Sequence, residues 1–262
     1  MEAVLLQRQT RNEEIFMDTI KINKKTVKMI AHRGLSGIET ENTCSAFVAA
    51  GNRSYFGIEC DIHVTADKKF VVIHDETTER VAKENIDVEK TDFKTVRRII
   101  LNNKEKTGNI SEMPQNRSDL IIPSLVEYIS ICKKYSKKCV LELKNAFKED
   151  DIRKVIQEIE QIGYLDGVIF ISFDFKNMVN LRELLPNQPL QFLVGQYSGE
   201  VLERLNAYNL DIDIYHDALT KAIVDEIHAN GHMVNCWTCD DKDRAAELIE
   251  MGVDYITSNI LE

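Results

Sequence analysis

Residues 29–75 read MIAHRGLSGIETENTCSAFVAAGNRSYFGIECDIHVTADKKFVVIHD, and a polar cluster follows each apolar run in this window. Thr26–Ala31 is a short apolar strand that ends in His32, Arg33 and Gly34, so a proton carrier and an anion binder stand where the backbone leaves a sheet. Gly57–Ile62 reads as a second strand. Side chains alternate along a strand with period two, so Glu59 and Asp61 share one face while Ile58 and Cys60 share the other. Two carboxylates so placed repel unless something cationic lies between them.

Only Ala66-Asp67-Lys68-Lys69 separates His63-Val64-Thr65 from Phe70-Val71-Val72-Ile73, whereas a parallel crossover needs about a dozen residues or more. The spacing predicts an antiparallel hairpin that folds His74 back toward the strand end bearing Glu59 and Asp61, where His32 can meet it. Val140–Lys144 is another apolar strand with polar residues two apart, which puts Glu142 and Lys144 on one face. The three carboxylates, two imidazoles, Arg33 and Lys144 would then form one site. Oxygen donors without thiolates suit one hard divalent cation, Mg²⁺ or Ca²⁺, better than Zn²⁺. Basic side chains beside such an ion favour an anionic substrate, phosphate first.

These residues resemble the glycerophosphodiester phosphodiesterases. The family pattern runs His-Arg-Gly, Glu-Asn-Thr with a nearby Ala-Phe, Glu-x-Asp, Thr-x-Asp, His-Asp, Ile-Pro-x-Leu, Glu-Leu-Lys and Trp-Thr. Here it is met in that order by His32-Arg33-Gly34, Glu41-Asn42-Thr43, Ala46-Phe47, Glu59-Cys60-Asp61, Thr65-Ala66-Asp67, His74-Asp75, Ile122-Pro123-Ser124-Leu125, Glu142-Leu143-Lys144 and Trp237-Thr238. Two places depart from it. Asp67-Lys68-Lys69 stands where Asp-Gly is usual, and Thr257-Ser258-Asn259 stands where Thr-Asp-x-Pro is common, which leaves the pocket rim and the head group open.

The resemblance implies metal-dependent hydrolysis of a glycerophosphodiester to sn-glycerol 3-phosphate and an alcohol, in lipid and glycerol metabolism. Glu59, Asp61 and Glu142 would hold the metal, and His32 and His74 would act as an acid and base pair. Arg33 and Lys144 would bind the phosphoryl group, with Glu41 bordering the site. A helix-cap acid is the plainer reading of Glu41. Phe173 and Trp237, at strand ends, serve either as core or as a wall for the alcohol. A lysophospholipase D-like enzyme on the same scaffold and a non-catalytic sugar-phosphate binding protein are the alternatives. His63, taken as one strand step off the Glu59/Asp61 face, reads as a rim or structural histidine. His216, His228 and His232 read as ordinary surface residues.

The whole chain agrees with a soluble α/β enzyme. It has 262 residues, 44% hydrophobic and 29% charged, and a formal net charge of −10, which argues against nucleic acid or an anionic membrane surface as the main partner. No apolar run approaches the about 18 residues of a membrane span, so no stable membrane insertion is expected and a cytoplasmic monomer or homodimer is. The six cysteines read as reduced and structural, including Cys236 and Cys239, whose redox spacing lies at a strand end.

Residues 1–25 form an N-terminal extension, with Asn12–Lys21 either a short helix or part of a disordered leader, and 26–262 form the domain. Within it, strands ending near Ala31, Ile62, Leu143, Phe173, Val194, Tyr215, Trp237 and Ser258 alternate with helices. The expected fold is a (β/α)8 TIM barrel with a β-hairpin after strand 2, and an insertion at about 81–120 over the mouth, containing a helix at Asp92–Leu101. In such barrels active sites lie at the C-terminal strand ends, where the candidate residues fall.

Overall fold

The computed structural model describes residues 18–102 and 117–262. Its strands are β1 (Lys28–Ala31), β2 (Gly57–Val64), β3 (Phe70–Val72), β4 (Lys138–Leu143), β5 (Val168–Ser172), β6 (Leu190–Val194), β7 (Asp211–Tyr215), β8 (Val234–Trp237) and β9 (Tyr255–Ser258). Its helices are α1 (Cys44–Gly51), α2 (Phe93–Val96), α3 (Leu125–Tyr135), α4 (Glu149–Ile162), α5 (Phe175–Leu184), α6 (Gly199–Tyr208), α7 (Lys221–Ala229) and α8 (Lys242–Met251). All strands but β3 run parallel in the order β1-β9-β8-β7-β6-β5-β4-β2, and the pairing of β1 with β2 closes the ring. This is the expected (β/α)8 barrel.

Alternation along the strands sorts the side chains into two apolar layers. Ile58, Cys60, Ile62, Leu141 and Leu143 point outward to Phe47, Tyr128 and Ile129 of the helices. Ile30, Val140, Ile169, Ile171, Leu193 and Tyr255 fill the barrel interior. On β4 the inward series therefore runs Val140, Glu142, so the carboxylate sits one layer above the apolar plug.

The hairpin is present and its register fixes His74. β2 pairs with β1 through Gly57 and Ile58 only, and after β1 ends its edge is taken by β3, with Ile62 opposite Val72 and Val64 opposite Phe70. Ile73 N donates to Asp61 O at 3.0 Å, which brings His74 back to the level of the acids. Lys68 carries the turn with φ 62, the left-handed conformation that accounts for the glycine usual there.

Elsewhere the chain departs from the sequence reading. The insertion is not simply polar: Val81, Ala82, Val88, Val96, Ile99, Leu101 and Ile122 pack on Val71 and Ile73 as a second small core. The expected helix at Asp92–Leu101 is cut to the single turn α2, because Ile99 and Leu101, two apart, turn into that core and residues 100 and 101 make isolated bridges to Ile121 and Ala82. α1 starts at Cys44 and not at Glu41, with Thr43 Oγ1 accepting from Ala46 N at 3.2 Å as N-cap. Of Asn12–Lys21, residues 12–17 lie outside the described residues. Ile20, within 18–21, forms a parallel bridge to Leu261, donating to Ile260 O at 3.0 Å. His232 is buried, 6% exposed, with Nε2 2.8 Å from Asn206 Oδ1, so it is no surface residue: the strand start tucks beneath α6. His216 is half-buried, and only His228 of these three is exposed.

Tyr128 of α3 ties the helical layer to the barrel wall, its hydroxyl donating to Ile58 O at 2.6 Å in a fully buried position. Tyr128→Phe keeps the ring and deletes this bond, so chemical denaturation should show a loss of about 1–2 kcal/mol with the slope unchanged. An unmoved midpoint would show that the bond does not stabilise the fold.

Candidate active site

Beyond β1 the backbone turns sharply. His32 N donates to Ser258 O at 2.9 Å, the last β-type contact, and Arg33 then adopts φ 52. A left-handed non-glycine residue is strained and needs support. Arg33 N donates to Glu59 Oε2 at 2.7 Å, and Arg33 O accepts from Asn42 N at 2.9 Å. Asn42, itself at φ 53, donates through Nδ2 to Asp61 Oδ2 at 2.8 Å. Both strained residues are thus held by the acids of β2. Gly34, at φ 77, is required as well: a Cβ there would lie 2.7 Å from Ala46 Cβ.

Glu59, Asp61 and Glu142 each offer an oxygen, all within 4.8 Å of one another and all buried. Arg33 Nε lies 3.6 Å from Asp61 Oδ2, while Lys144 Nζ lies 2.8 Å from Glu142 Oε1 and 3.6 Å from Asp61 Oδ1. The charge is shared unequally. Burial would raise the Asp61 carboxyl, but Arg33, His74 and Lys144 with the Asn42 bond hold it well below the usual carboxylate range. Burial and the neighbouring Asp61 push Glu142 up to about 7, and burial with Asp61 and Glu142 raises Glu59 well above its ordinary value. Two flanking cations do not balance three acids. The oxygen donors, their closeness and this residual charge fit a hard divalent cation.

The two imidazoles have different partners. His32 Nε2 lies 4.0 Å from Glu59 Oε2, and its Nδ1 lies 2.8 Å from Asn259 Oδ1. Burial and the adjacent Arg33 lower His32 to about 4. His74 Nδ1 meets Asp75 Oδ1 at 2.5 Å, and burial lowers it too, with Asp61 and Asp75 opposing. His63 lies two residues past Asp61 and so continues that face. It is fully buried and structural, placing Nε2 3.1 Å from His74 O and Nδ1 2.9 Å from Glu89 Oε1 of the insertion. Glu89 also accepts from Asn145 Nδ2 at 3.0 Å, so this part of the insertion stands at the mouth end of β2 and β4.

Glu41 is not a helix-cap acid. It accepts from Arg33 Nη1 at 2.9 Å and from Arg80 Nη2 at 2.7 Å, and Arg80 Nε donates in turn to Asp75 at 2.7 Å. Phe173 and Trp237 meet edge to face at 5.5 Å beyond β5 and at the end of β8, and Tyr215 lies 5.7 Å from Trp237. Phe173 and Tyr215 are 49% and 37% exposed, so the rings form a wall open to solvent. A cavity of about 420 Å³ opens beside His32, Arg33, Glu41, Asp240 and Asn259.

The sequence reading thus missed Asn42, Arg80, Tyr215, Asn259 and the buried Asp213, whose carboxyl burial and Glu142 push up. Asn42 was signalled by lying inside Glu41-Asn42-Thr43, and Asp213 by period-two spacing from Asp211 on β7. Tyr215 and Asn259 were signalled only by lying at barrel strand ends, and Arg80 had no local signal.

The pattern of the glycerophosphoryl diester phosphodiesterase family matches residues 32–261. A glycerophosphodiester phosphodiesterase of Bacillus altitudinis is 27% identical over 237 residues, covering 87% of this chain and 93% of that one. One from Caldanaerobacter subterraneus subsp. tengcongensis is 26% identical over 239 residues, covering 88% and 93%. Among solved structures, an Oleispira antarctica phosphodiesterase in complex with the product sn-glycerol-3-phosphate is similar with a TM-score of 0.80 at 24% identity, over 92% of this chain and 96% of that one. With that pattern running from His32 through the last strand, the chain belongs to the glycerophosphoryl diester phosphodiesterase family.

Proposed function

We propose that the protein is a metal-dependent phosphodiesterase that hydrolyses glycerophosphodiesters to sn-glycerol 3-phosphate and a free alcohol. The observation that carries the reading is the convergence of Glu59, Asp61 and Glu142 between two fixed cations and beside two imidazoles. These three carboxylates would hold one divalent cation, Mg²⁺ or Ca²⁺. Bound there, the cation supplies Lewis-acid polarisation of a phosphoryl oxygen. Arg33 and Lys144 face the same point and stabilise charge that builds on the phosphoryl oxygens. The aromatic wall of Phe173 and Trp237 takes the alcohol, and Glu41 keeps Arg33 aimed.

The unequal partners of the histidines support one division of the proton transfers. A carboxylate, Asp75, backs His74 and favours its cationic form, whereas a neutral amide backs His32. His32 therefore takes the proton of the nucleophile as its oxygen bonds to phosphorus, the nucleophile being either water or the glycerol 2-hydroxyl, in which case water then opens the cyclic phosphodiester to sn-glycerol 3-phosphate. His74 gives a proton to the alcohol oxygen as the second phosphorus–oxygen bond breaks.

The exposed rings favour one second reading, a lysophospholipase D-like enzyme, since a long acyl chain would cover them. Comparing glycerophosphocholine with lysophosphatidylcholine separates the two. All six cysteines are free and five are buried, which suits the reducing, cytoplasmic compartment we assign.

Rigorous treatment with EDTA should abolish hydrolysis, and added Mg²⁺ or Ca²⁺ should restore it, whereas full activity after chelation would sink the metal-dependent reading. Arg33→Ala should lower kcat/KM by about a hundredfold or more, the cost of losing one charge-assisted contact to the transition state. A loss below about threefold would remove Arg33 from phosphoryl recognition. His74→Ala should cripple substrates with a poor alkoxide leaving group yet still turn over a nitrophenyl diester, whose leaving group needs no proton, while His32→Ala should lose both. Equal losses on the two substrates for His74→Ala would show that the acid is assigned wrongly.

A further inference from the structure

The strand end that departs from the family pattern, Thr257-Ser258-Asn259, is where His32 finds its partner. Asn259 Oδ1 lies 2.8 Å from His32 Nδ1. An amide can be turned either way, and only its surroundings decide which atom is the oxygen. Here Asp240 decides it. Asn259 Nδ2 donates to Asp240 Oδ2 at 2.6 Å, and a carboxylate only accepts, so the nitrogen must face Asp240 and the oxygen must face His32. Asp240 is itself fixed, because its Oδ1 accepts from Asn259 N at 2.7 Å and from Ser258 Oγ at 2.8 Å. Ser36 Oγ lies 2.6 Å from the same amide oxygen and 2.7 Å from His32 O, so the loop after β1 closes on the same point.

We propose that Asn259, oriented by Asp240, is a positioning residue that fixes His32 as the Nδ1–H tautomer and so presents a lone pair on Nε2 toward the carboxylate cluster. An amide oxygen can only accept, so neutral His32 must donate from Nδ1, and its Nε2, on the Glu59 side, is left as the acceptor. The inference rests on the reading of His32 as the base, and it adds how this chain selects the working nitrogen.

Nitrogen-15 NMR of histidine-labelled full-length protein, at a pH of about 8 where an ordinary imidazole is neutral, reads the tautomer directly. The His32 signal, identified by its loss in His32→Ala, should show a protonated Nδ1. A protonated Nε2 in the native protein would overturn the proposal without any variant. Asn259→Leu should mix the tautomers and lower kcat by about tenfold to a hundredfold, as removing the orienting partner of a working histidine does, with KM within about threefold. Asp240→Asn, which frees the amide to turn without touching His32, should do the same to a smaller extent. An unchanged tautomer or kcat in Asn259→Leu would overturn the positioning role, and if that variant does not fold, the same result in Asp240→Asn would. Wild-type turnover in His32→Ala would instead overturn the base assignment, whatever the tautomer.

Discussion

Three buried carboxylates point at one another across the mouth of the barrel, and their mutual repulsion is the condition that the surrounding residues answer. Asp61 stays ionised because Arg33, His74, Lys144 and the Asn42 amide gather on it, while Glu59 and Glu142 are driven upward. Removing any one partner would leave a buried charge without compensation, which is far costlier than the net worth of the pair. The upward shifts of Glu59 and Glu142 relieve part of the repulsion, and the proposed divalent cation would relieve the rest.

The same condition shapes the backbone. Arg33 and Asn42 take left-handed conformations in a loop where the Arg33 peptide N–H donates to Glu59 and the Asn42 side-chain amide donates to Asp61. The strain is confined to a loop whose start is anchored on β9 and whose end is capped into α1. Charge alternation then continues outward, from Arg33 to Glu41, to Arg80, to Asp75 and to His74. The loop after β1 and the loop after β3 are separate in sequence, yet this chain of ion pairs couples the two imidazoles to one framework.

Which parts could be read beforehand follows from the range of the interactions. Period two placed Glu59, Asp61, Glu142 and Lys144 correctly, because strand geometry is local, and the four-residue turn at 66–69 fixed the hairpin for the same reason. His63 was misplaced by a slip in that same count. The partners of Glu41 and Asn259 could not be read because they lie far along the chain: Arg80 is 39 residues from Glu41, and His32 is 227 from Asn259. No periodicity encodes such pairs. The second core of the insertion escaped notice because its apolar residues, Val81, Val88, Val96 and Ile99, are sparse among polar ones and find order only against Val71 and Ile73.

An amide behind His32 orients the ring without adding charge to a site already crowded with acids. A histidine that must accept a proton has to be neutral before the reaction, and burial with Arg33 keeps His32 so while Asp61 and Glu41 pull the other way. A fourth carboxylate on Nδ1 would fix the same tautomer but would also add negative charge behind a ring that already neighbours three acids. Asn259 supplies the directional acceptor without the charge, and Asp240, one hydrogen bond further out, supplies the direction. As the proposed acid, His74 sits under the opposite requirement, since an acid must carry its proton into the reaction, and there Asp75 contacts the ring directly. In the proposed mechanism, a carboxylate behind one ring and a neutral amide behind the other would separate the roles of otherwise identical side chains.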